Sequence, residues 1–569
     1  MRGARQNGCG DGSATPRHRA EAARAKFFIA TTRHFPDGTF LPFMRMTLIR
    51  VLLLGSLIAV ASVARAATAT PSVPSRPSAV SLTKPNIIFL LADDLGYGDI
   101  GAFGQKKIRT PHLDQLARDG MKFTHHYSGH NVCAPSRCVL MTGKHPGHAY
   151  IRNNRGGQGL GGVAGPEGQE PVPLGELKLP LTLKKLGYAT GGFGKWGLGG
   201  VGTTGDPNDQ GMDRFFGYND QAIAHNFYPT SLWNNRERVP LRNAAFAANQ
   251  KLPDGADPKN PASYASFTGT DYAPDFINEA ARKFLRDHQD RPFFLYYPTT
   301  VPHLALQVPE DSLAEYQDAF PEEPYPGGNG YLPHRTPRAA YAAMVTRLDR
   351  DIGRLLALVD ELGLRENTIV VFSSDNGPLW ERFGGTDSGF FNSAGGLRGQ
   401  KGGYYEAGFR VPCLVRWTGK IAAGTTSERV TGFEDWLPTL LELAGAKDAT
   451  PAGLDGISFA PTLLGKTQPE RPFLYRESQA GGGQQCVRVG DWKAFRTNLN
   501  PPANAPKKKQ ASPGSTAIEL YNLKTDPAET TNVAAQHPDI VAKLAAIMRE
   551  QHVPTTLWPI RVLDADAAK

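Results

Sequence analysis

Cysteine is scarce in this chain, with five residues among 569, and their spacing matches no zinc-ligand pattern. A polypeptide this long buries enough apolar surface to fold without covalent staples, so a disulfide scaffold is excluded. If Cys133 is consumed by chemistry, three cysteines remain beyond residue 66 and at least one is unpaired. Long apolar runs are missing as well. The run over residues 51–63 falls short of the roughly 20 residues that a membrane-spanning helix needs. No internal repeat is evident, which argues against solenoids and propellers. Excess charge is also lacking over most of the chain. Residues 1–66 hold ten Lys/Arg against three Asp/Glu, so +7 of the net +9 lies there and +2 in the remainder. The basic balance therefore gives no reason to expect a nucleic-acid partner.

What stands at the N-terminus reads as export machinery. Residues up to about 43 are polar and Arg-rich, and they precede second possible starts at Met44 and Met46. Arg45 and Arg50 form a charged region, residues 51–63 an apolar one, and Ala64-Arg65-Ala66 a small-x-small cleavage site. Residues 1–66 are thus expected to be upstream sequence plus signal peptide, and 67–84 a Pro/Ser/Thr-rich linker. A periplasmic or secreted protein without stable membrane insertion follows.

Further on, strands and helices alternate. Residues 86–92 form a continuous apolar run, as a strand buried on both faces does, and similar runs occupy 188–193, 293–297 and 368–373. Helices are predicted at 111–119, 182–186, 274–286 (with Phe276 and Ile277 on the apolar face) and up to Leu362. Residues 199–272 read mostly as loop. This alternation predicts a doubly wound, mainly parallel α/β sheet over 85–450. Shorter alternating segments and a helix at 538–551 predict a small antiparallel sheet with one helix over 451–569.

Polar residues follow the predicted strands, where open α/β sheets collect functional groups. Asp93-Asp94, Lys195, His303 and Asp375-Asn376 all stand at such ends. Each alone reads equally well as a cap or a turn residue; together they point to a site. Asp93, Asp94, Asp375 and Asn376 offer only oxygen, and three carboxylates brought together repel unless a cation neutralises them. Such donors suit Ca²⁺ or Mg²⁺ and disfavour zinc. Cys133-Ala134-Pro135-Ser136-Arg137 looks like the opening of a helix, with Pro135 in the first turn, Ser136 as cap and an apolar face behind. A thiol there meets unpaired N–H groups and the positive end of the helix dipole, which favours a nucleophile or a bound anion.

That pentapeptide, followed after four residues by Thr142-Gly143, resembles the signature of the type I sulfatases of the alkaline-phosphatase superfamily. The likeness runs over roughly 85–560. It includes Gly194-Lys195-Trp196, Val301-Pro302-His303, Asp375-Asn376-Gly377-Pro378, Leu397-Arg398-Gly399-Gln400-Lys401 and Glu519-Leu520-Tyr521. The resemblance implies conversion of Cys133 to formylglycine (3-oxoalanine) by a maturation enzyme, and one cation, Ca²⁺ rather than Mg²⁺, on Asp93, Asp94, Asp375, Asn376 and position 133. It implies that the hydrated aldehyde attacks sulfur while Arg137 orients it. Lys195 and Lys401 contact the sulfate, His303 and Lys401 assist the leaving oxygen, and the covalent adduct then collapses. The segment from Asp375 to Lys401 resembles sulfatases acting on carbohydrates, and Tyr228, Trp233 and Trp380 are candidates for stacking on sugar rings.

One departure stands out. Many sulfatases read Gly-Lys-Trp-His-Leu-Gly where this chain has Gly194-Lys195-Trp196-Gly197-Leu198-Gly199. His225 is expected to supply the missing base and to touch substrate, ahead of His145 and His148. Two rival functions remain open: a phosphonate monoester or phosphodiester hydrolase of the same superfamily, and an inactive protein that binds sulfated glycans.

Overall fold

The computed structural model describes residues 84–154, 169–500 and 517–567. The leader, nearly all of the linker, a glycine-rich loop at 156–168 and a Lys/Pro loop at 501–513 lie outside the described residues. The sheet is organised around β1 (Asn86–Ala92), buried along its whole length. Ile88 and Leu90 point into one apolar cluster and Ile87, Phe89 and Leu91 into another, so both faces must be covered. Burial of each such side chain contributes about 1.5–3 kcal/mol.

In chain order the other strands of this sheet are β2 (Met121–Phe123), β3 (Ala189–Lys195), β4 (Arg214–Tyr218), β5 (Ser231–Asn234), β6 (Glu237–Pro240), β7 (Phe293–Pro298), β8 (Thr368–Ser374), β9 (Cys413–Arg416) and β10 (Thr425–Ser427). Their spatial order is β10-β2-β9-β8-β1-β7-β3-β4-β5-β6. The central run from β8 to β4 is parallel, and antiparallel pairs flank it. Helices α1 (Pro111–Asp119), α4 (Ala273–Asp287) and α5 (Pro337–Glu361) cover one face. On the other lie α2 (Cys133–Thr142), α3 (Lys178–Lys185) and α6 (Trp436–Leu443). This is the expected doubly wound architecture.

Strands β11 (Leu474–Ser478), β12 (Gln484–Val489), β13 (Trp492–Arg496) and β14 (Glu519–Asn522) make a separate antiparallel sheet, against which α7 (Pro538–Glu550) packs. Buried ion pairs fasten it to the larger sheet's surroundings: Lys493 to Glu406 at 3.0 Å and Arg476 to Glu434 at 2.9 Å. The described residues fall in one compact unit. Among them no helix is long and apolar enough to cross a membrane.

Three local expectations are refined. Residues 199–272 are mostly loop, as expected, but they also carry β4, β5 and β6, which extend the sheet and were not anticipated. Helix α3 spans Lys178–Lys185, so it starts one turn before the expected 182. Phe276 is 39% exposed although it falls within the apolar stripe of α4.

Candidate active site

Helix α2 begins at Cys133 itself, with Val132 in an extended conformation before it. Pro135 costs nothing in the first turn, where its missing N–H would have no intrahelical acceptor. Ser136 is not the cap. It lies inside the helix and its Oγ accepts from the Gly129 N–H at 3.0 Å, while Asn154 Oδ1 accepts from the Ala134 N–H at 2.9 Å. Gly143, at φ 72°, closes the helix by donating to the Val139 carbonyl. All ten residues are buried, so the helix is core throughout and has no solvent face.

Two strand ends meet this helix start. Beyond β1, Asp94 turns at φ 66° and its N–H donates to Asp375 Oδ1 at 3.2 Å, tying the ends of β1 and β8 together. Asn376 Nδ2 donates to Asp94 Oδ1 at 2.7 Å. Cys133 Sγ lies 3.3 Å from Asp93 Oδ1 and 3.8 Å from Asp94 Oδ1. One turn along α2, Arg137 is fully buried. It bonds Asp375 Oδ2 through Nε and Nη2 at 3.0 and 2.8 Å, reaches Asp93 Oδ2 at 3.2 Å, and donates to the Lys195 carbonyl.

Lys195 ends β3, and its place depends on Gly194. A Cβ there would lie 2.0 Å from the Pro298 carbonyl oxygen, so only glycine lets β3 approach β7 so closely. Its Nζ reaches Asp93 Oδ2 at 2.7 Å. Lys401 Nζ lies 2.6 Å from Asp94 Oδ1 and 3.5 Å from Cys133 Sγ. His303 donates from Nδ1 to the Leu304 carbonyl at 2.6 Å, since a carbonyl only accepts; Nε2 then faces Asp94 Oδ2 at 3.3 Å.

The electrostatics differ from two expectations. Arg137, Lys195 and Lys401 each pair with a carboxylate of Asp93, Asp94 and Asp375, so the chain's own cations already balance them. A metal ion is not required merely to suppress repulsion. Nor does the start of α2 stabilise a thiolate. Burial, followed by Asp375 and Asp93, pushes the Cys133 thiol well above its ordinary value, and Lys401 and Lys195 only partly oppose this. Asp93 is held far below the usual carboxylate range: burial works against its charge, but Lys195, His303, Arg137 and Lys401 outweigh it. Burial and the neighbouring Asp93 push Asp375 up to about 6. Lys401 is raised despite its burial, chiefly by Asp94. Burial and both lysines hold His303 well below its ordinary value, which favours the neutral ring.

The donor set suits a hard divalent ion. Asn376 Oδ1 is buried and has no hydrogen-bond partner among the described residues. An orphaned carbonyl oxygen beside carboxylates supplies the all-oxygen donors that such an ion takes. Donor atoms of Asp93, Asp94, Cys133 and His303 also lie within 4.8 Å of one another.

His225, on a short turn after β4, stacks on His303 with ring centroids 4.4 Å apart and planes 9° from parallel. His145 and His148 are elsewhere, bonded to Asp455 and Gln551. Tyr228 packs in the core on Tyr272 and Trp233 lies beneath the Arg238 guanidinium, whereas Trp380 flanks the segment that carries Lys401. It is 37% exposed, and a Cβ built on Gly402, the residue after Lys401, would lie 3.2 Å from its ring. Tyr331 and Phe383 carry no motif, yet they complete an aromatic wall from His303 through His225 to Trp380. Tyr331 does so at φ 63°, a strained conformation for an aromatic residue.

A sulfatase family model matches residues 85–446. Arylsulfatase A of Homo sapiens is 35% identical over 482 residues, 81% of this chain and 86% of that protein. An N-acetylgalactosamine-6-O-sulfatase of Bacteroides thetaiotaomicron is 29% identical over 520 residues, 82% of this chain and 92% of that protein. The crystal structure of Ps i-CgsB in complex with k-i-k-neocarrahexaose superposes with a TM-score of 0.64 at 25% identity, covering 85% of this chain and 96% of that one.

Proposed function

Since the chain belongs to the sulfatase family and is a sulfuric ester hydrolase, we propose that it removes sulfate from a carbohydrate at the cluster around Cys133. One observation carries the placement: Cys133, Arg137, three carboxylates, Asn376, two lysines and His303 converge in one buried cluster beyond the strand ends. The sugar reading is supported by the wall ending at exposed Trp380, since aromatic faces pack on pyranose rings. The relative named for a sugar sulfatase activity and the structural neighbour bound to a carbohydrate point the same way.

The neutral thiol supports formylglycine at 133, because a protonated thiol is a poor nucleophile. A hydrated aldehyde there would supply an oxygen nucleophile and a covalent route. Asp93, Asp94, Asp375 and Asn376, with position 133, would hold Ca²⁺ in preference to Mg²⁺, and the ion would polarise sulfate oxygens. Arg137 fixes Asp93 and Asp375 in place. Lys195 and Lys401 present fixed positive charge to an anionic substrate, and Lys401 is the cation best placed to neutralise the leaving oxygen. His303 directs Nε2 inward because the Leu304 carbonyl holds its other nitrogen. His225, stacked behind it, is the base proposed in place of the residue absent at 197. A maturation enzyme acts on Cys133, the leader directs the chain to the periplasm or medium, and a subdomain begins near 451.

The test is mass spectrometry of the peptide containing residue 133, with sulfate release measured on monosaccharide sulfates, nitrophenyl sulfate and a nitrophenyl phosphodiester. An aldehyde at 133 and preferred release from a sugar sulfate are expected. A large preference for the phosphodiester, or binding without release from the converted protein, would overturn the proposal.

A further inference from the structure

Past Lys195 and past Tyr218 the chains of β3 and β4 run side by side off the carboxyl edge of the sheet. Trp196 donates to the Tyr218 carbonyl at 2.8 Å and Gly197 to that of Asn219 at 3.0 Å. Gly197 has φ 76°, and a Cβ built on it would lie 1.7 Å from Gln221 Nε2 and 2.7 Å from its Cδ. The Gln221 carboxamide therefore occupies the space that any side chain at 197 would need. Asp220 Oδ1 accepts from the Ala222 and Ile223 N–H groups, which starts the turn carrying His225 toward His303.

Gln221 is 6% exposed and Asn219 is 1% exposed, and all four of their amide atoms are buried without a hydrogen-bond partner among the described residues. Two orphaned carboxamides are costly unless something else satisfies them. A carboxamide offers both donor and acceptor, and so does a sugar hydroxyl. A sulfate only accepts, and an aryl ring does neither. We propose that Asn219 and Gln221 are specificity-determining residues that bind hydroxyls of the sugar bearing the sulfate, with Gln221 filling the place left open by Gly197. This rests on the carbohydrate sulfatase reading above.

The experiment compares the mature wild-type protein with Gln221→Met and Asn219→Leu, each checked for conversion at residue 133. The substrates are nitrophenyl sulfate and the best substrate among N-acetylgalactosamine 6-sulfate, glucosamine 6-sulfate and a carrageenan hexaose. Methionine keeps the volume of glutamine and removes its hydrogen bonding. Each variant is expected to lose about tenfold in kcat/KM on the sugar sulfate while nitrophenyl sulfate stays within about twofold, because hydroxyls left unpaired in the variant site penalise only the substrate that carries them. Equal effects on both substrates overturn the proposal, as do unchanged kinetics with a raised Tm, the result for an amide that only fills space. Wild type that cleaves nitrophenyl sulfate but no sugar sulfate also overturns it while leaving the sulfatase activity standing. Wild type inactive on every sulfate ester would instead count against the function itself.

Discussion

Replacing Arg137 by methionine tests whether this residue holds the carboxylates of the cluster in place. Its guanidinium makes two bonds to Asp375 Oδ2, at 3.0 and 2.8 Å, and one to Asp93 Oδ2 at 3.2 Å. Asp93 keeps a second partner, Lys195 at 2.7 Å, but Asp375 has no other ion pair among the described residues. Arg137→Met should therefore leave one buried carboxylate uncompensated, a loss of about 3–5 kcal/mol, softened where Asp375 takes up a proton. Arg137→Lys keeps the charge and loses the fork, so its loss should be smaller, about 1–2 kcal/mol. A carboxylate ligand that has lost its orienting partner should also bind its cation some 10–100-fold more weakly. The assay is urea unfolding of the mature chain followed by tryptophan fluorescence, with and without saturating Ca²⁺, beside sulfate release titrated with Ca²⁺. Cation binding to the folded state should restore part of the variant's stability. A methionine variant within about 1 kcal/mol of wild type, with an unchanged Ca²⁺ half-saturation, would refute the reasoning.

Gly197→Ala should cost about 1–2 kcal/mol for its left-handed backbone and more for the collision with Gln221, and Gln221→Gly in the same chain should recover only the second part, as read by thermal unfolding. Asp351 is buried, and burial followed by Asp275 raises its pKa to about 7 against an ordinary 3.8. The folded state thus binds the proton more tightly, and stability falls by about 4 kcal/mol as pH climbs from about 4 to about 7. Asp351→Asn should remove that slope and be the more stable form at about pH 8; identical slopes in urea unfolding would dismiss the assignment. His225→Ala should lower kcat by about 10²–10⁴-fold if this ring is the working base, and normal steady-state turnover would exclude it.

The parallel centre of the sheet was legible because burial on both faces leaves uninterrupted apolar runs: β1 spans the predicted residues 86–92, and the polar residues after it stand where expected. Strands β4 to β6 escaped notice for the opposite reason. Glu237–Pro240 is an edge strand with mostly exposed side chains, so no period of two marks it. The site's members could be picked out one at a time, but their charge balance could not. Three carboxylates in a sequence ask for a cation, and nothing in their spacing tells that Arg137, Lys195 and Lys401 answer first. The same blindness reversed the expectation for Cys133. A helix start is visible locally, whereas Asp93 and Asp375, whose charges oppose the thiolate, lie 40 and about 240 residues away. Gln221 had no signal at all, because its meaning arises only from the backbone angle of Gly197. Local chemistry therefore names the groups at this site, while the sign of the field acting on them is set by residues that only folding brings near. Changes at Lys401 or Lys195 should consequently alter the behaviour of residue 133 more than changes within α2 that keep its shape.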